Sequence, residues 1–214
     1  MTILFIHAWG GSGKGHWQDI LAKKLAKAGH KVLFPSFPSP DKPHLKEWLA
    51  TLEEVLKDVD PADLRVATHS LGGALWLHFM KKKIAFCPQK VLLVSPPLTD
   101  CGIPEIKDFF PLPDIDLGEA RKNHLLIYSD NDNYITLQEF ETLAKKYSLP
   151  THFVPHAGHI NIASGFGDWE WMEKELTKNI LEIHGADFFI NTPEEFLIRK
   201  KGCDAVKEIR KLRD

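Results

Sequence analysis

Leu64-Arg65-Val66-Ala67-Thr68-His69-Ser70-Leu71-Gly72-Gly73 is the stretch that decides the fold. An apolar run at 64–67 leads directly into a helix-compatible segment at 71–83, with a serine and glycines at the join. A tight turn from a buried strand into a helix, with Ser70 at its apex, is how a nucleophile elbow is written. Such a turn lifts the hydroxyl clear of the backbone. The helix behind it aims its N-terminal amides at any negative charge that develops there. The pattern is G-x-S-x-G with one departure, since Thr68 stands where the first glycine belongs. The plainer reading of Ser70 is a helix cap, its oxygen accepting from first-turn amides.

Working outward, apolar runs of strand length also fall at 3–7, 31–34, 91–95, 125–128 and 152–154. Helical periods lie between them. Trp17, Ile20, Leu21 and Leu25 form one face, closed by Gly29. Leu45, Trp48, Leu49, Leu52, Val55 and Leu56 form another at i, i+3, i+4, i+7 spacing. Thr136 and Glu139 write a capping box ahead of Leu137, Phe140 and Tyr147, and Met172, Leu176, Ile180 and Ile183 line a late helix. Continuous apolar strands alternating with amphipathic helices imply an α/β architecture, a parallel sheet covered on both faces. Reactive groups in such sheets collect at the C-terminal strand ends.

The polar residues fall where that rule puts them. The first strand ends in His7-Ala8-Trp9-Gly10-Gly11 and the third in Ser70. The fifth ends in Ser129-Asp130-Asn131-Asp132 and the sixth in His156-Ala157-Gly158-His159. Serine, then acid, then histidine is the chain order of α/β-hydrolases, not of the chymotrypsin or subtilisin types.

Composition excludes several other classes. A chain of 214 residues, 43% apolar and 26% charged, is one soluble globular domain with an ample core. A net charge of −2 gives no case for a nucleic-acid or acidic-membrane partner, and no apolar stretch approaches the ~18 residues of a membrane span. The N-terminus enters a strand pattern at once and does not read as a signal peptide. Cys87, Cys101 and Cys203 are odd in number and scattered, which suits a reducing compartment, so the expected location is cytoplasmic.

The segments IHAWGGSGKGHW, THSLGG, SDNDNYIT and AGHINIASGFGDW, spread over residues 3–169, resemble the compact serine-hydrolase family of α/β-hydrolases that includes retinoblastoma-binding protein 9. The run from Gly158-His159-Ile160-Asn161 to Gly165-Phe166-Gly167-Asp168-Trp169 is the most family-specific of them. The resemblance implies a three-layer α/β-hydrolase fold with a mostly parallel sheet of about six strands and helices on both faces. It also implies that the N-terminal antiparallel strands and large lid of bigger relatives are missing. The implied activity is a serine hydrolase working through an acyl-enzyme, chemistry that needs no cofactor and no metal; the short stretch at 96–123 leaves an open site that suggests small, short-acyl esters, with amides or thioesters as alternatives.

Residue by residue, Ser70 is the expected nucleophile, His159 the base that takes its proton, and Asp132 the acid that orients the histidine. Asp130 is the rival acid. The run Asp132-Asn133-Tyr134-Ile135-Thr136 resembles the family's acid followed by an aromatic and a branched residue. The oxyanion hole is expected from the Leu71 amide and, by family analogy, from Trp9, with Ala8 as alternative. Trp9 and Trp17 are candidate pocket walls, and Trp17 serves equally well as core. His7 and His16 belong to the oxyanion loop, and His69 must point away from Ser70.

Two other function classes compete. Ala8-Trp9-Gly10-Gly11-Ser12-Gly13-Lys14 nearly writes a phosphate-binding P-loop, although Gly15 stands where a Mg²⁺-binding serine or threonine belongs. A non-catalytic binding protein on a hydrolase frame is the other. Residues 1–184 are expected to form the hydrolase domain and 185–214 a helical extension, with Thr192-Pro193-Glu194-Glu195 starting a helix. The expected partner is a small-molecule ester, and the expected assembly a monomer or homodimer. The proline-broken stretch at 96–123 predicts a small wall beside the site and no large cap.

Overall fold

A computed structural model describes residues 1–178. Ile180, Ile183, Cys203 and the expected extension at 185–214 lie outside the described residues. Six strands, β1 (Thr2–Ile6), β2 (Lys31–Leu33), β3 (Leu64–His69), β4 (Lys90–Val94), β5 (His124–Tyr128) and β6 (Thr151–Phe153), form one sheet in the order β2-β1-β3-β4-β5-β6. Every pairing is parallel. The helices are α1 (Trp17–Lys27), α2 (Leu45–Leu56), α3 (Leu71–Lys82), α4 (Leu137–Tyr147) and α5 (Glu170–Thr177).

The period-two alternation of strand side chains sorts the core into two layers. Leu4, Ile6, Val66, Leu93 and Leu126 face one side, where α2, α3 and α4 supply Trp48, Leu52, Leu75, Phe140 and Leu143. Ile3, Phe5, Ala67, Leu92 and Ile127 face the other, where α1 and α5 supply Trp17, Leu21, Leu25, Met172 and Leu176. Helix α3 is buried nearly all round, which explains why its sequence lacks a clean polar stripe. The Thr136–Glu139 capping box is formed, as its spacing predicts.

Strand order reverses at β1. The chain leaves β1 for β2 on one side, then crosses back to lay β3 on the other. In open parallel sheets, ligands bind outside the carboxyl ends of the strands at such a switch point. The loop after β1 and Ser70 after β3 therefore start from adjacent strands.

Candidate active site

Ser70 sits at φ 49°, ψ −120°, a backbone conformation that costs a non-glycine residue roughly 1–3 kcal/mol. Its amide donates to Val94 O at 2.9 Å and its carbonyl accepts from Gly73 N at 2.8 Å, which pins the turn from both sides. The side chain makes no capping hydrogen bond to α3, so the plain cap reading fails. Gly72 gives the close approach that the elbow needs. A Cβ there would lie 2.6 Å from Ile6 O and 2.8 Å from His7 O, inside the end of β1.

Thr68, the departure from the motif, is fully buried, and its hydroxyl has no partner among the described residues. The room it takes is returned one turn later. A Cβ on Gly73 would stand 3.3 Å from Thr68 Oγ1 and 2.6 Å from Pro96 Cβ. The second glycine of Gly72-Gly73 thus lets α3 pass close to β3 in place of the glycine missing at position 68.

After β5, Asp132 is placed against the histidine loop. Its carboxylate is wholly buried; Oδ2 lies 2.8 Å from His159 Nδ1, and Oδ1 accepts from the Tyr134 amide at 2.9 Å. A hydrogen bond from Nδ1–H to a carboxylate sets the tautomer and leaves Nε2 with its lone pair. Tyr134 packs its ring 4.7 Å from the imidazole. Asp130 does something else. Its Oδ1 accepts from the His156 amide at 2.7 Å, while Ser129 Oγ and Asn131 Oδ1 accept from the amides of Ala157 and Gly158 at 2.8 and 2.7 Å. Three successive amides of the histidine loop are therefore held by three successive side chains after β5. Gly158 runs at φ 55°, and a Cβ there would meet Ser164 Oγ at 2.4 Å.

Ser70, His159, Trp9 and Leu71 line one cavity of about 270 Å³. Leu71 is the first residue of α3, so its N–H has no acceptor within the helix. Trp9 is 37% exposed and fixed through Nε1 to Asp41 O at 3.0 Å. The loop that carries it is held by His7, whose Nδ1 donates to Ala8 O at 2.7 Å while Nε2 accepts from Phe37 N at 3.2 Å. Burial lowers the His7 pKa, consistent with that neutral form. Pro97, Cys101, Ile103 and Ile106 also line the cavity, from the small wall expected between the fourth and fifth strands. His78 Nε2 to Phe109 O (2.8 Å) and Leu45 N to Asp108 Oδ2 (2.9 Å) fasten that segment.

Trp17 is a correction. It is fully buried and is not part of the cavity; its Nε1 donates to Ile160 O at 3.0 Å, behind the histidine loop. Position 17 opens an amphipathic helix, and its apolar face turns to the sheet. The phosphate-loop reading also fails on geometry. Helix α1 starts only at Trp17, where His16 Nδ1 already accepts from Gln18 N, and Asp19 Oδ2 accepts from Gly15 N. The protein's own side chains thus fill the place where a phosphate would bind. Among the described residues, no group of three His, Cys, Asp or Glu is placed to hold a metal, and no helix is long and apolar enough to cross a membrane.

A parallel sheet with a strained serine at a strand–helix turn, sharing a cavity with a carboxylate-held histidine, is the arrangement of an α/β-hydrolase. The chain belongs to the serine hydrolase family, whose sequence pattern matches residues 3–178. It is 26% identical over 172 residues to YdeN of Bacillus subtilis (strain 168), a protein whose name carries a provisional hydrolase assignment, over 77% of this chain and 88% of that one. The crystal structure of the B. subtilis ydeN gene product superposes with a TM-score of 0.70 at 22% identity, covering 82% of this chain and 96% of that chain. A YdeN-like hydrolase from Pectobacterium atrosepticum gives 0.68 at 22%, covering 82% and 88%. Est1E from Butyrivibrio proteoclasticus, solved with ferulic acid, gives 0.55 at 17%, covering 83% and 90%. These structures share the fold.

Proposed function

We propose that this hydrolase cleaves small carboxylic esters with short acyl groups, using Ser70, His159 and Asp132 through an acyl-enzyme. One observation carries the reading. The His159 ring, held by a buried carboxylate at 2.8 Å, lines the same cavity as an uncapped serine at φ 49°. In this reaction His159 Nε2 takes the Ser70 proton as Oγ attacks the ester carbonyl, then returns it to the departing alkoxide. Water repeats the sequence on the acyl-enzyme and releases the acid. The amides of Leu71 and Trp9 receive the oxyanion, each worth about 3 kcal/mol in the transition state.

Small substrates are favoured by the cavity, about 270 Å³, at the lower edge of the ~300–1,000 Å³ typical of ligand pockets. The short wall at 97–106 adds no cover. A cytoplasmic site of action is part of the proposal, supported by the free thiols of Cys87 and Cys101. The test is covalent labelling by a fluorophosphonate probe, followed by turnover of a panel of short-chain esters. Labelling of the parent and its loss in Ser70→Ala support the reading. A folded parent that takes no label points instead to a binding protein on a hydrolase frame.

A further inference from the structure

Helix α1 carries one polar side chain where it turns to the core. Gln18 lies on the buried face with Trp17, Leu21 and Leu25, and is itself fully buried. An amide in such a place costs free energy unless its hydrogen bonds are made inside the protein. Its Nε2 donates to Ile6 O at 2.9 Å and to Ala67 O at 3.2 Å. Carbonyls can only accept, so this pair fixes which end of the amide is nitrogen. Oε1 is left to accept from Ser12 Oγ at 2.6 Å.

The three partners belong to the parts that the proposed chemistry must align. Ile6 ends β1, three residues before Trp9. Ala67 lies in β3, three residues before Ser70. Ser12 sits between Gly11 and Gly13, both of which line the cavity. One planar amide thus spans the strand leading to the expected oxyanion donor, the strand leading to the nucleophile, and the glycine loop between β1 and α1. Trp9 and Gly10 are tied to the segment after β2, through Asp41 O at 3.0 Å and Pro40 O at 2.9 Å. The Ser12 bond ties the same loop inward to the core. A leucine at position 18 would pack against the sheet but make none of these bonds.

We propose that Gln18 is a positioning residue, whose buried amide holds the glycine loop and Trp9 in register with Ser70 and so aligns the oxyanion hole with the nucleophile. The role rests on the ester-hydrolase reading. Gln18 and Ser12 are not among the residues lining the cavity, so their effect falls on the chemical step and not on substrate binding.

Steady-state kinetics on a short-chain aryl ester test it, with fluorophosphonate labelling rates alongside. Ser12→Ala cuts only the tie to the loop, at a half-buried position. It is expected to lower kcat about tenfold, with KM and the urea midpoint close to wild type. Labelling should slow in parallel, because phosphonylation also places an oxygen in the oxyanion hole. Gln18→Met keeps the length of the side chain, loses all three bonds, and should lower kcat at least as much. The double variant should match Gln18→Met alone, since the bond to Ser12 is already gone. A Ser12→Ala kcat within about twofold of wild type overturns the role, whether or not Gln18→Met folds. So does a loss confined to KM, or a double variant that falls by the product of the two single losses. A wild type that neither takes the label nor turns over esters overturns the ester-hydrolase reading itself, and the positioning role with it.

Discussion

His69 Nε2 donates to the carbonyl oxygen of His159 at 2.9 Å, so the neighbour of the nucleophile grips the backbone of the proposed base. Trp17 Nε1 donates to the next carbonyl, Ile160 O, at 3.0 Å. Two consecutive carbonyls are thus held from β3 and α1, while three amides just before them are held from the loop after β5. The histidine loop takes its place from three other parts of the chain.

Trp17→Phe keeps an aromatic ring in the core but strands the Ile160 carbonyl. It is expected to lower stability by about 1–2 kcal/mol, read from the urea midpoint, and to lower kcat more than it raises KM. An unchanged midpoint and kcat would show that the bond to Ile160 holds nothing in place.

Ser70→Ala should abolish fluorophosphonate labelling and reduce ester turnover by about 10⁴-fold or more. His159→Ala should do the same to turnover with the fold intact by circular dichroism. Activity at the wild-type level in either variant removes the proposed chemistry.

Asp132→Asn and Asp130→Asn should separate cleanly. The first loses the charge that fixes the His159 tautomer, and a drop of about 10⁴ in kcat is expected. In the second, an amide oxygen still accepts from the His156 backbone, so kcat is expected within about tenfold of wild type, with a stability loss near 1 kcal/mol. The reverse pattern in steady-state kinetics would transfer the acid role to Asp130.

Gly72→Ala places a methyl 2.6 Å from Ile6 O, where backbone surrounds it and nothing can rotate away. A loss of about 1–3 kcal/mol or more follows from overpacking of this kind, measured by thermal or denaturant unfolding. Gly11→Ala has open space around its Cβ but a φ of 91°, so any loss there comes from the backbone alone.

Acid should weaken the fold. Burial lowers the pKa of both His16 and His124 to about 4, whereas an unfolded histidine titrates near 6.5. The unfolded chain therefore binds more protons between those values. The contribution of the neutral rings is complete above about pH 6.5 and declines as the pH falls toward 4. Each ring accounts for roughly 3 kcal/mol across that window. Unfolding free energies that stay level from pH 7 to pH 4.5 would contradict the neutral assignment. His124 also has a specific check: Trp76→Phe removes the 3.0 Å bond from Trp76 Nε1 to His124 Nε2 and should raise the imidazole pKa.

Much of this was legible in the chain because it depends on local order. Strand ends, the Ser–Asp–His succession and the capping box at Thr136 all follow from spacing along the sequence. What depends on approach between distant segments was not. The exchange of Thr68 for room at Gly73 needs the path of α3 over β3. Trp17 looked the same as pocket wall and as core, because a helix's apolar face says only that something covers it. Asp130 and Asp132 are two residues apart, and only the histidine loop's position tells a backbone anchor from a ring partner. His16 and His69 were legible as neighbours of the site, but that His16 Nε2 and His69 Nδ1 lack partners among the described residues was not, since an orphaned nitrogen is visible only once every other partner is placed.

The segment that carries the wall at 97–106 is fastened at Asp108 and Phe109 by the start of α2 and by His78, whereas His159 is bonded to Asp132 and to His69 at the end of β3, and Ser70 to the end of β4. The machinery and the wall that shapes its substrate are thus separately anchored parts. On the proposed function, exchanging the wall as a cassette is expected to change which substrates fit while the pairing of His159 with Asp132 stays in place.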